Sequence, residues 1–144
     1  MEAIEGTGQI AVEPDWSLLL SDPLEVETAR HHWQRITIEM RERETLAAST
    51  GHSIQRLVLA YLIYDRSARV VAEQGAVMKP KRGNPKAIAR ISPYFTAMRE
   101  AASDAAALEA ELGLSPRRRG GVTKVDRKNR KRSAAAAYLK SVEK

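Results

Sequence analysis

The chain has 144 residues, which allows one hydrophobic core with terminal extensions and excludes a large multidomain enzyme. Hydrophobic residues make up 43% of it and aromatic residues 5%, and the apolar residues are mainly Ala, Leu, Ile and Val, so helix-on-helix packing is favoured. The absence of cysteine excludes disulfides and thiolate metal sites. The sequence shows neither a secretory leader nor an apolar run of membrane-spanning length, so we expect a soluble, cytoplasmic protein.

The net charge of +6 is unevenly distributed. Residues 1–29 hold seven acidic side chains and no Lys or Arg, whereas residues 117–132 hold nine basic side chains against Asp126 alone. Clustered cations displace counterions from phosphates, so this tail predicts polyanion binding. A solvated tail or a targeting-like basic patch is the alternative. The tail residues predicted to contact DNA are Arg117, Arg118, Arg119, Lys124, Arg127, Lys128, Arg130, Lys131 and Arg132.

Two helices are predicted in the first half of the chain. Asp22-Pro23 combines an N-cap with proline at the first helical position, and an apolar stripe then continues to Ala47. A break follows, in which Gly51 suits a positive φ and Ser53 suits a cap. The second helix is expected from about residue 54 to residue 74 with a broad apolar face, closed by Gly75.

A third helix is predicted from Asn84-Pro85, a second cap-and-proline start, to Gly113. Residues 76–83 before it contain Pro80 and read as an extended connection. Pro93 should kink the helix. The predicted heptad seam consists of Ile88, Ile91, Phe95, Met98, Ala102, Ala105 and Leu112.

These elements predict an all-α fold with a short N-terminal helix region, a long antiparallel helical hairpin and a disordered basic C-terminal tail. We divide the chain into a flexible acidic segment (1–21), a helical oligomerisation core (22–116) and a basic tail (117–144). The tail ends in a possible short helix carrying Tyr138, Leu139 and Val142, which would be marginal alone. Its apolar side chains suggest a protein partner; an inert end is the alternative.

A search for catalytic or metal-binding chemistry gives little. The only histidines, His31, His32 and His52, form no ligand set, since a metal needs three or four converging ligands. No triad order or phosphate loop occurs, so we expect a non-catalytic protein without metal or cofactor. Residues 46–57 partly imitate a helix-turn-helix, in which Gln55 and Arg56 would read bases; a plain turn between two helices is the competing interpretation.

The order of several motifs resembles the small terminase subunit family of tailed bacteriophages. The pieces are Leu57-x-x-x-Tyr61 in a long helix, Gly75, a basic connection, Asn84-Pro85 and the segment Glu111-Leu112-Gly113-Leu114-Ser115-Pro116-Arg117-Arg118-Arg119. The resemblance covers roughly residues 22–121. It implies a helical protomer that assembles into a ring in the host cytoplasm, recognises double-stranded viral DNA and hands it to a large subunit with ATPase and nuclease activity.

For such an assembly we predict two sets of residues, one for contacts between protomers and one for contacts with DNA. The helices carry more apolar surface than they can cover mutually, so neighbouring protomers would bury the rest. The predicted oligomer interface consists of Leu62, Ile88, Ile91, Phe95 and Met98. A second candidate DNA patch, at the connection between the long helices, consists of Lys79, Lys81, Arg82, Lys86 and Arg90. A dimeric helix-turn-helix transcriptional regulator remains the alternative function.

Overall fold

The computed structural model of the protein describes residues 11–80, 83 and 88–115. In chain order the main elements are α1 (Pro23–Glu42), α2 (Gly51–Gln74), β1 (Val77–Met78), β2 (Arg90–Ile91) and α3 (Pro93–Glu111). Two short 3₁₀ helices, Trp16–Leu18 and Ala48–Thr50, precede α1 and α2. The helical class is confirmed, with a two-stranded ribbon that we did not predict. The tail, whose disorder and short helix we predicted, lies outside the described residues.

Helix α1 begins where the sequence predicts and ends earlier. The Asp22 carboxylate accepts a hydrogen bond from the backbone N–H of Leu24 at 2.9 Å, and Pro23 occupies the first turn. Glu44 then adopts a left-handed backbone with φ 58°, which a helix cannot continue through. Ala47, which we expected on the α1 stripe, therefore lies in the connection to α2.

The start of α2 corrects our interpretation of Gly51. Its φ is −59°, so the left-handed freedom of glycine is not used there, and Ser53 lies inside the helix rather than capping it. The lack of room for a side chain at this position accounts for the glycine instead. A Cβ at Gly51 would lie 3.2 Å from the Ala11 Cβ, because the N-terminal segment crosses the helix start. At the other end Gly75, with φ 83°, closes the helix as predicted.

Helix α3 begins at Pro93, not at Asn84-Pro85. The Ser92 side chain accepts a hydrogen bond from the Tyr94 N–H at 3.2 Å, so Ser92-Pro93 is the cap-and-proline start and the predicted kink does not exist. Arg90 and Ile91, just before this cap, are strand β2. Val77 pairs with Ile91 and Met78 with Arg90 in an antiparallel ribbon, which the Ser92 N–H continues by donating to the Ala76 carbonyl at 2.9 Å.

Helix α3 ends in a Schellman motif at Gly113, where the sequence predicts the helix to end. Gly113 has φ 70°, the Leu114 N–H donates to the Glu109 carbonyl at 2.8 Å, and the Gly113 N–H donates to the Ala110 carbonyl at 3.3 Å. These two bonds satisfy carbonyls that the helix leaves without partners. The chain therefore turns sharply at the point from which the basic tail departs.

The core lies between α1, the antiparallel hairpin of α2 and α3, and the N-terminal segment. Along α3 and its C-cap the buried hydrophobic residues are Ala101, Ala105, Leu108 and Leu112. The predicted seam is therefore right at Ala105 and Leu112 and wrong at Ala102, which is exposed. Of the buried hydrophobic residues elsewhere, the most enclosed are Trp16, Ala29, Met40, Ile54, Leu57 and Val58.

The N-terminal segment packs onto this body through Trp16. Trp16 is 1% exposed, its ring meets Trp33 edge-on with centroids 6.1 Å apart, and its indole N–H donates to Glu13 at 2.9 Å. We expected residues 1–21 to be flexible, but their described part, from residue 11 onward, is held by an aromatic contact. Across the described ranges, no helix combines the length and apolarity that crossing a membrane requires.

Candidate nucleic-acid interface

Charge separates the described protein into an acidic helical body and a basic ribbon. Residues 11–75 and 93–115, the helical body, hold eight Lys or Arg side chains against fourteen Asp or Glu. Residues 76–92, which contain the ribbon, hold five cations and no acid. A polyanion approaching the protein would therefore be attracted to the ribbon end of the α2–α3 hairpin and repelled along the helices.

The ribbon brings together two of the five cations predicted there. Lys79 directly follows β1 and Arg90 begins β2 opposite Met78, and both are exposed. The other three, Lys81, Arg82 and Lys86, fall between the two strands in the sequence and lie outside the described residues. A two-stranded ribbon is narrow enough to enter the major groove of DNA, so this end can present cations to phosphates. The predicted tail cations from Arg117 to Arg132 also lie outside the described residues.

Several cations of the helical body are held by the protein itself. The Arg66 guanidinium donates to both oxygens of Glu25, at 2.9 and 2.6 Å, which links α1 to α2 and raises the pKa of Arg66. Arg43 pairs with Glu39 and donates to the Gly113 carbonyl at 2.9 Å, which ties the end of α1 to the end of α3. These arginines have structural partners and are poor candidates for phosphate contacts.

A ring contact and a hydrogen bond that the sequence analysis missed link the three helices through Tyr61. The His32 ring lies 5.1 Å from the Tyr61 ring, and the Tyr61 hydroxyl donates to Glu109 at 2.6 Å. Burial raises the pKa of Tyr61, and the bond to Glu109 raises it further, so the hydroxyl remains a donor. Burial also lowers the pKa of His32, with Arg35 adding to the effect. His32 is thus a neutral packing residue at neutral pH.

The residues predicted for the oligomer interface fall into three environments. Ile88 and Ile91 are 81% and 63% exposed, and they stand at the ribbon with surface available to a neighbour. Phe95 and Met98 are half-buried on the first turns of α3, and Arg99 lies over the Phe95 ring. Leu62 is 3% exposed, so the protomer's own core already covers it.

The geometry of α2 disfavours the helix-turn-helix interpretation. Ile54 and Val58, which a recognition helix would present to the major groove, are both 0% exposed. The connection from Arg43 to Thr50 contains its own 3₁₀ helix and is longer than the three- or four-residue turn of that motif. Of the two predicted readers, Gln55 is half-buried and Arg56 is exposed.

These features define a small helical protein with an acidic body and a basic ribbon. Among the described residues, no cluster of His, Asp or Glu could hold a metal ion. The family model described as "Phage terminase, small subunit" matches residues 29–129, more than half of the chain. The chain therefore belongs to the phage terminase small-subunit family, whose role is in phage DNA packaging and whose members are generally regulatory. Comparison with curated proteins and with solved structures gives no match.

Proposed function

We propose that the protein is a ring-forming terminase small subunit that binds double-stranded viral DNA and regulates the large terminase subunit in the host cytoplasm. The observation that carries this proposal is the family match over residues 29–129. It is non-catalytic in this account, and the ATPase and nuclease belong to the large subunit. The dimeric regulator is not favoured, because Ile54 and Val58, which a recognition helix would present to the major groove, are buried.

The distribution of charge supports the DNA-binding part of the proposal. Positive charge is concentrated in residues 76–92 and 117–132, and the acidic helical body separates the ribbon from the point at which the tail leaves α3. At 1.5 Å per residue, α3 spans about 28 Å between these two places. In a ring of identical protomers, all ribbons would stand at one level and all tail origins at another. DNA would then have cationic contacts at both levels.

Exposed apolar residues support the assembly part. Val77, Met78, Ile88 and Ile91 are each more than half exposed, and Tyr94 at the start of α3 is 47% exposed. Apolar clusters of this kind mark interaction surfaces on small proteins. A heterologous contact repeated by rotation closes into a ring.

The C-terminal end is the proposed contact with the large subunit. Tyr138, Leu139 and Val142 follow the basic run, and phosphates offer no partner to apolar side chains. A short amphipathic segment that folds on docking is a common way for one protein to engage another.

We expect Tyr138→Ser with Leu139→Ser to reduce stimulation of the large subunit's ATPase severalfold, because the apolar contact is removed. ATP hydrolysis would be measured with the large subunit and DNA at saturating concentrations of each small-subunit variant. The matched control is Lys140→Ser with Lys144→Ser, which alters the same end without removing apolar side chains. Full stimulation by the Tyr138/Leu139 variant would mean that another segment contacts the large subunit, with the acidic residues 1–29 as the next candidate.

A further inference from the structure

An open groove of about 420 Å³ runs between α2 and α3 on the surface of the protomer. Its lining includes Leu59, Ala60 and Ile63 from α2, and Ala97 and Leu108 from α3. Ile63 leaves 45% of its surface exposed, although it lies beside the buried core. The small alanines keep the two helices from filling this space, so the groove can accept apolar side chains from another segment.

The rim of this groove is acidic. Glu100, Asp104 and Glu111 of α3 line it, against a single cation, Arg56 of α2. None of the salt bridges found among the described residues involves these three carboxylates. An occupant should therefore combine apolar side chains with positive charge.

The ribbon of the same chain has this combination. Val77 and Met78 are each 54% exposed and Ile91 is 63% exposed, while Lys79 and Arg90 adjoin them. An isolated ribbon of two-residue strands has little stability of its own in water. Burial against a second surface would stabilise it and would cover the exposed apolar residues.

The ribbon cannot reach the groove of its own protomer. It continues the hairpin beyond the first residue of α3, and the Ser92–Ala76 hydrogen bond holds it there. The groove lies alongside α3 between Ala97 and Glu111. Folding back would break this bond and the Ser92 cap of α3, so a ribbon that occupies the groove must come from another protomer.

We propose that the ribbon of one protomer docks into the α2–α3 groove of its neighbour, with Val77 and Ile91, which share one face of the ribbon, against the apolar side chains of the groove and Lys79 near Glu100 and Asp104. This inference rests on the proposed ring, and it names the contact that would join neighbouring protomers in that ring. Donor and acceptor surfaces are different parts of the chain, so the contact is heterologous and can repeat around a closed ring. The contact uses Lys79 alone of the five cations of residues 76–92, so the other four are left for DNA.

Cysteine cross-linking tests this contact directly, because the natural chain contains no cysteine. The full chain would carry Met78→Cys with either Ala97→Cys or Ala107→Cys, two positions that line the groove. Treatment with a short bismaleimide should give a ladder of covalent multimers with at least one pair. The control, Met78→Cys with Gln34→Cys on the exposed side of α1, should give no ladder. Each single-cysteine variant should give at most linked pairs.

Native mass measurement of the same variants separates this proposal from the ring itself. An intact closed oligomer in which neither groove position links more than the Gln34 control overturns the ribbon contact and leaves the ring standing. A protein that is monomeric before cross-linking contradicts the ring. Cross-links from Ser133→Cys, in the tail, to Ala97→Cys or Ala107→Cys would show that the tail fills the groove, which also overturns the proposal.

Discussion

Removing residues 117–144 should weaken DNA binding on every duplex sequence tested and flatten its dependence on salt. The deleted segment includes the nine cations between Arg117 and Arg132. Each lost phosphate contact changes the slope of log affinity against log salt concentration by about 0.9. If six of these cations contact phosphates, the slope should change by about 5. Titrations of a labelled duplex at several salt concentrations would measure it.

A shorter truncation provides the matched control for this deletion. A chain ending at Arg132 keeps the whole basic run and loses residues 133–144, so its affinity and salt slope should equal those of the full chain. An unchanged slope after the longer deletion would contradict the account of the tail. The DNA site would then be sought at the ribbon, at Lys79, Lys81, Arg82, Lys86 and Arg90.

Trp33→Ala should produce the largest loss of stability of any single change in α1, about 3–5 kcal/mol in the free energy of unfolding. Trp33 is 4% exposed and packs edge-on against Trp16, and such ring pairs add about 0.5–1.5 kcal/mol beyond area burial. The change would also release the N-terminal segment that crosses Gly51. Urea unfolding followed by helical circular dichroism would measure it, at one protein concentration because assembly contributes to stability.

Ile38→Ala is the matched control for Trp33. Ile38 lies on the same helix but is 54% exposed, and exposed substitutions usually change stability by no more than about 0.5 kcal/mol. Equal unfolding midpoints for the two variants would mean that the Trp16–Trp33 contact does not hold the N-terminal segment in solution.

Local capping chemistry made much of the fold predictable. Asp22-Pro23 marks the start of α1, Gly75 marks the end of α2 and Gly113 marks the end of α3. Each of these residues favours its backbone conformation without help from the rest of the fold. These signals act within one helical turn, so a single sequence contains them.

The start of α3 was mispredicted because two cap-and-proline signals compete there. Asn84-Pro85 and Ser92-Pro93 have the same local chemistry, and continuing the apolar spacing through Ile88 and Ile91 favoured the earlier one. The ribbon decides between them, since Ile91 pairs with Val77. That pairing joins residues that are distant in the sequence, so the spacing of apolar residues along the chain does not reveal it. Pro93 itself was an available signal, because proline is better suited to a first turn than to a helix interior.

The candidate site was only partly predictable for a related reason. Charge clustering is visible in the sequence, so composition could point to the cations of residues 76–92 as a candidate DNA site, which stays a prediction. The acidic groove was not visible, since Glu100 and Asp104 reach the same surface as Leu59 and Ile63 only through the packing of α3 on α2. The misplaced start of α3 also shifted the expected seam, so Ala101 and Leu108 were missed.

The mass of the native full-length protein tests the central claim most directly. A ring-forming small terminase subunit should give one dominant species at an integer multiple of the protomer mass greater than two, unchanged on moderate dilution. Native mass spectrometry, with light scattering as a check in solution, would determine this number. A species that remains a monomer or a dimer at all concentrations would contradict the ring, and a dimer bound to a palindromic site would restore the transcriptional regulator.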